Sequence, residues 1–251
     1  MRRRLSGTLK SLRKESGKMA YKKSLETKQK ILEATEAVIL RKGYGDANIS
    51  DIAEEINIPR TLVYYYYPNK ELIMDELSDV IYHRTIRAAD ENVDPEQDPI
   101  LNLLLKYILL FEHIVLNDIT RDYFLSYGPY VTRGPEKVAK ARKECYPHIE
   151  SVFLHYNLPA DETTMSLYVI TSDAMIKALF TGIVNGSLDI TLKEALSYFG
   201  RHVILPSFMI SEENYEIMVE RAFLLADGIT LSHSIAKNDT DASEEAPSDE
   251  E

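Results

Sequence analysis

Apolar residues recur at helical spacing along most of the chain. From Glu71 onward the pattern is interrupted only by short polar or proline-bearing breaks at 94–99, 128–135, 157–161, 185–189 and 211–214. The spacing predicts helices over roughly 70–90, 99–117, 119–127, 136–156, 161–185, 191–209 and 213–232. No run alternates with period two for long enough to form a sheet, and no repeat of solenoid length is visible, so the predicted fold class is all-α. Upstream, residues 48–71 read NISDIAEEINIPRTLVYYYYPNKE. Asn48 suits a helix N-cap, Asp51 can close a capping box, and Ile52, Ala53 and Ile56 form an inward stripe. Asn57 tolerates the left-handed conformation that ends a helix, and Pro59 sets φ for the next first turn. The segment is predicted to be a helix-turn-helix.

With Val63 and Tyr67 turned inward, a helical repeat of about 100° per residue puts Thr61 and Tyr65 on the opposite face, flanked by Leu62 and Tyr64. A row of outward tyrosines needs a cover. Phenol rings and hydroxyls suit sugar, phosphate and base edges, and a DNA major groove is the expected partner.

These residues carry a resemblance. The stretch from Lys28 to Leu72 resembles the DNA-binding domain of TetR-type (tetracycline-repressor-like) regulators: KQKILEATEAVILRKGY is similar to the family's opening helix and its Gly-aromatic stop. DIA at 51–53 resembles the second helix, and TLVYYYYPNKEL at 61–72 the recognition helix with its following lysine. About 45 residues are covered, with several matches at fixed spacing across three elements. The departures are Asn57 where the family usually has Gly, Pro59 for Ser or Thr, Thr61 for Gly, and Tyr67 for Phe. Pro59 offers no capping side chain, and a buried Tyr67 needs a partner for its hydroxyl.

The resemblance implies a dimeric, ligand-responsive repressor of a palindromic operator, with an N-terminal helix-turn-helix domain and a larger helical effector-binding and dimerisation domain. Arg60, Thr61, Leu62, Tyr64, Tyr65 and Tyr66 are expected in or beside the major groove, with Asn48 and Lys70, each at a helix start, on phosphates. A small-molecule effector is expected in a cavity enclosed by helices 99–117, 119–127, 136–156 and 161–185. The side chains proposed for it are Tyr107, Phe111, His113, Tyr123, Tyr127, Tyr146, Tyr168 and Met175. Each of these aromatics also reads as plain core. The expected domains are a flexible basic arm at 1–23, the helix-turn-helix domain at 24–72, the effector and dimer domain at 73–235, and a disordered acidic tail at 236–251.

Net charge looks wrong for a nucleic-acid binder until it is divided. The chain carries −11, yet residues 1–30 hold 11 Lys or Arg against only Glu15 and Glu26, and Asp239 to Glu251 contribute seven acids. The basic end lies beside the helix-turn-helix, where a local patch serves DNA binding. Either the arm tracks phosphates, or translation starts at Met19 and 1–18 lies upstream of the native protein. The lone cysteine, Cys145, excludes an internal disulfide and fits a reducing, cytoplasmic setting. The N-terminus lacks the apolar core of a signal peptide. The greasiest run, 100–116, is interrupted by Asn102, Lys106, Glu112 and His113, so no membrane association is expected.

In helix 161–185, Ala174, Ala178 and Gly182 recur every four residues and form a seam that lets another helix approach. Core packing within one subunit and a homodimer interface both explain it. Cys145 and His148 are too few for a metal site, and no metal or cofactor is expected. Asp173 could be a buried catalytic acid, but Lys177 four residues on offers it an ion pair, and no phosphate loop or nucleophile elbow appears. An enzyme is therefore not expected. A chromosome-associated structural protein that binds DNA without a ligand is the alternative.

Overall fold

The computed structural model describes residues 2–126 and 135–231, with side chains at 19, 21–126, 139, 143 and 146–231. Among these residues every regular element is helical. The chain divides into two compact units, the first ending at Val80 and the second running from Ile81 to Leu231. That division falls inside a helix, whereas the sequence pattern suggests 72/73. Ile73, Met74 and Leu77 explain the shift, because these fully buried side chains complete the core of the first unit.

In the first unit α1 spans Arg2–Lys42, α2 Ile49–Glu55 and α3 Arg60–Tyr66, and α4 begins at Lys70. The basic segment expected to be a flexible arm is instead the beginning of α1. It has no apolar stripe, so periodicity could not reveal it, but its Arg, Lys, Leu and Glu are good helix formers. Gly43, at φ +80°, stops α1 by adopting the left-handed conformation, and its N–H donates to the Ile39 carbonyl at 2.7 Å. Ile31, Leu32, Val38 and Ile39 of α1 join Ile52 and Ala53 of α2 and Val63 of α3 in the core.

In the second unit α4 ends at Asn92. It is followed by α5 (Pro99–Leu110), α6 (Arg121–Ser126), α7 (Pro135–His155), α8 (Glu162–Val184), α9 (Leu192–Phe199), α10 (Leu205–Phe208) and α11 (Glu212–Ala226). Two five-residue π-helical stretches, Phe111–Val115 and Gly200–Ile204, extend α5 and α9, a widening that hydrophobic spacing does not signal. At the second, the Tyr215 ring sits where a side chain on Gly200 would be, and its hydroxyl donates to the Leu196 carbonyl at 2.8 Å. α5, buried along nearly its whole length, packs chiefly on α11.

α8, rather than the run at 100–116, is the described helix with the length and mean hydropathy of a membrane span. Its apolar residues Met165, Tyr168, Ile176, Leu179 and Phe180 are buried within the second unit, which gives them a protein environment.

Candidate nucleic-acid interface and effector domain

The turn between α2 and α3 is built as the sequence predicts. Asn48 Oδ1 accepts from the N–H groups of Ser50 at 2.9 Å and Asp51 at 3.1 Å, while Asp51 accepts from the Asn48 N–H at 3.2 Å, closing the capping box. Asn57 adopts φ +53°, and Pro59 caps α3 without a side-chain hydrogen bond. Exposed ion pairs join α1 to α2, Arg41 to Glu55 at 2.7 Å and Lys42 to Asp51 at 2.6 Å. The Lys42 hydrogen bond, aided by the Asn48 backbone, holds the Asp51 carboxyl below its ordinary range.

α3 separates its two faces sharply. Val63 and Tyr67 are 0% and 3% exposed, whereas Tyr65 is 79% exposed and Tyr64 46%. Arg60 and Thr61 are also exposed, Leu62 and Tyr66 half-buried. The Tyr65 and Tyr66 rings meet edge to face at 5.2 Å, an arrangement that stiffens the outward row. Tyr67, standing where Phe is usual, has a buried hydroxyl with no well-formed hydrogen bond. Burial, with the nearby Glu76 carboxylate, pushes its phenol far up.

Lys70 is placed differently from the phosphate contact expected of it. Its ammonium donates to the carbonyls of Tyr44 at 2.6 Å and Ala47 at 2.8 Å and lies 4.2 Å from the centre of the Tyr44 ring. The side chain fastens the start of α4 to the loop between α1 and α2. A lysine at a helix start reads as a phosphate ligand, and nothing in the sequence says that two carbonyls converge on it.

The proposed effector side chains gather in the second unit, but many are committed to one another. Tyr107 meets Phe199 edge to face at 5.4 Å, Phe111 meets Phe180 at 4.8 Å, and Tyr168 packs between Phe153 and Phe208. Tyr123 is buried in α6, His113 half-buried in the π-helical stretch, and Met175 half-buried on α8. The hydroxyl of Tyr146 shares a 2.6 Å hydrogen bond with Ser166 Oγ. Tyr127 and the side chain of Cys145 lie outside the described residues. Lys177 donates to the Phe124 carbonyl and lies over the Phe124 ring, which adds a contact to α6 beyond the Asp173 ion pair expected of it.

The small-residue seam of α8 is divided. Ala178 is exposed and Ala174 half-buried, but Gly182 is buried under the Leu188 side chain of the same chain. Gly182 is therefore part of the subunit's own packing, because the turn after α8 folds back and fills the notch. The outward stripe of α8 runs instead through Leu167, Ile170, Ala174 and Ala178.

Sequence reasoning also passes over a polar cluster in which Asp90, exposed on α4, accepts from the buried Asn102 and Lys106 of α5. The signal is there: Asn102 and Lys106 lie one turn apart in an otherwise apolar helix, where they read only as interruptions of a membrane span.

Residues 31–77 match the family model for bacterial regulatory proteins of the tetR family. The DNA-binding domain is that of the TetR family. The chain is 32% identical over 99 residues to the HTH-type transcriptional regulator TtgR of Pseudomonas putida, a match covering 38% of this chain and 46% of that protein. It is 23% identical over 145 residues to YuxN of Bacillus subtilis, an uncharacterised HTH-type transcriptional regulator, covering 57% of this chain and 50% of that one. The chain thus spans about half the length of the curated relatives it matches. Among solved structures it is similar to RolR in complex with resorcinol, at TM-score 0.56 and 16% identity over 79% of this chain and 96% of that one. Unliganded RolR gives 0.53 and 15% over 76% and 96%. These likenesses show a shared fold that extends beyond the TetR DNA-binding domain.

Proposed function

We propose that this chain is a cytoplasmic, dimeric transcriptional repressor that binds a palindromic operator and is released by a small apolar or aromatic effector. One observation carries the DNA reading. In a TetR-type helix-turn-helix, α3 buries Val63 and Tyr67 and leaves Arg60, Thr61, Tyr64 and Tyr65 outward, a surface with donors, acceptors and rings that is exposed among the described residues. Asn48 stands at the start of α2, where backbone N–H groups and the helix dipole favour a phosphate. In this reading Lys70 positions the interface.

Dimerisation is supported by apolar residues left exposed on two helices, Leu167 and Ile170 on α8 and Ile217 and Leu224 on α11. A second copy covers such stripes, and pairing supplies the two reading heads, about 34 Å apart, that successive major-groove faces require. Effector binding is supported by the aromatic, mildly polar interior of the second unit, and by the resorcinol held by RolR, a protein of the same fold. α4 belongs to both units, so a change at its C-terminal turns reaches the helix start that Lys70 fastens.

The test is selection of bound fragments from random DNA by the purified full chain. A recovered palindrome, protected as two half-sites and released by small aromatic molecules, is the expected result. Recovery of DNA without a common sequence would favour a structural DNA-binding protein instead.

A further inference from the structure

Glu212, Glu216 and Glu220 recur every four residues on α11, and Lys193, Ser197 and Arg201 recur with the same spacing on α9 and its π-helical extension. Four-residue spacing keeps each set on one face, so the two elements meet as a ladder of three rungs. At one end the Lys193 ammonium pairs with Glu220, and at the other Arg201 Nε pairs with Glu212 Oε1 at 3.1 Å. The middle rung differs. There the Ser197 hydroxyl donates to Glu216 Oε2 at 2.8 Å, and Glu216 Oε1 has no hydrogen-bond partner. Serine offers one neutral donor where each outer rung has a full positive charge, so the ladder lacks a cation.

Glu194 deepens the deficit. Three residues before Ser197 on α9, it accepts from the Thr191 N–H and hydroxyl, both at 2.8 Å, which hold its carboxyl below the ordinary range. Neither Glu194 nor Glu216 makes an ion pair among the described residues. Both line a cavity of about 760 Å³, as do Ser197, Leu179 of α8, and Leu188 and Ile190 of the loop that follows α8. That volume suits a small molecule.

Charge and surface together decide the class. An anionic ligand would face Glu194 and Glu216 as like charges, and a neutral one would leave the middle rung without its cation. A bare inorganic cation would leave Leu188 and Ile190 uncovered. An ammonium on an apolar chain meets both needs, because its N–H groups donate to the Glu216 carboxylate while its methylenes cover the apolar wall. Tyr198, half exposed and lining the same cavity, adds a ring face for the charge.

We propose that this cavity is a second ligand site, separate from the aromatic interior proposed for the effector, and that it takes an ammonium carried on a short apolar chain, with the ammonium completing the middle rung at Ser197 and Glu216.

Titration calorimetry of the full chain at neutral pH with hexylammonium, hexanol and hexanoate compares one apolar chain bearing three heads. Hexylammonium should bind at least about tenfold tighter than the other two. Glu216→Gln keeps the shape of the side chain and an acceptor for Ser197 but removes the charge. It should bring hexylammonium down to the affinity of hexanol and leave hexanol unchanged. The methyl resonances of Leu188 and Ile190 should shift when hexylammonium is added to the wild-type chain, and they carry the test if Glu216→Gln lacks wild-type helicity by circular dichroism. Equal binding of hexylammonium and hexanol by the wild type would overturn the site. A preference that survives Glu216→Gln, or methyl resonances that stay in place, would overturn it too. None of these readouts involves DNA, so DNA recognition is decided separately by the selection experiment.

Discussion

α3 and α8 both carry more apolar surface than one helical face can bury, and their sequences suggest a partner-covered face on each. They meet that expectation differently. In α3, a seven-residue helix, Val63 and Tyr67 fill the core and the tyrosine row stands outward, as spacing alone predicts. In α8, 23 residues long, Ala174, Ala178 and Gly182 lie on one predicted seam, yet Leu188 covers Gly182 from within the chain. A short helix fixed at both ends by Pro59 and the turn before Lys70 has only one way to sit. A long helix that is apolar all round has its faces assigned by neighbours, including residues that follow it in the chain.

This contrast can be broken or sharpened by substitution. The largest effect should come from Val63→Asp, which places an unpaired carboxylate at a fully buried position and should cost about 3–5 kcal/mol, seen as loss of the first unit's cooperative unfolding transition. Within α8, Gly182→Leu and Ala178→Arg should diverge. The first forces Leu188 out of place, costing roughly 1–3 kcal/mol of stability with no change in association state. The second, at an exposed position, should leave the thermal midpoint nearly unchanged and yield a folded monomer by sedimentation that no longer holds a palindromic site. A monomer from Gly182→Leu would restore the seam that the spacing predicts.

Lys70→Ala sharpens the account of α3 by testing what holds it. The variant leaves the Tyr44 and Ala47 carbonyls without their charged donor, and a loss of about 1–3 kcal/mol in stability is expected, with DNA affinity per folded molecule reduced less than by changes in α3. Unchanged stability together with a salt dependence of binding lowered by about one charge would return Lys70 to a phosphate.

The same contrast explains what was legible. Asn48 with Asp51, Asn57 and Pro59 act through their own and adjacent backbone, so the helix-turn-helix could be read with its caps and its exposed face. The second unit was legible as a set of helices only. Its π-helical stretches depend on local widening, and the edge-to-face pairs of Tyr107 with Phe199 and Phe111 with Phe180 join residues far apart in the chain. Lys70 and Lys177 make contacts that the sequence does not signal, for one reason. Each ends on backbone carbonyls contributed by another segment, and carbonyls are present at every position, so no residue pattern announces them.

The central claim, that the outward face of α3 reads DNA, is tested most directly at Tyr65, its most exposed ring. Binding of wild type and Tyr65→Ala to the selected palindrome and to unrelated DNA, with thermal unfolding measured in parallel, isolates that face. The account predicts an unchanged unfolding midpoint and a loss of roughly 1–3 kcal/mol in specific binding, with non-specific binding nearly intact. Equal affinity of the two proteins for the palindrome, with the same protected bases, would contradict it.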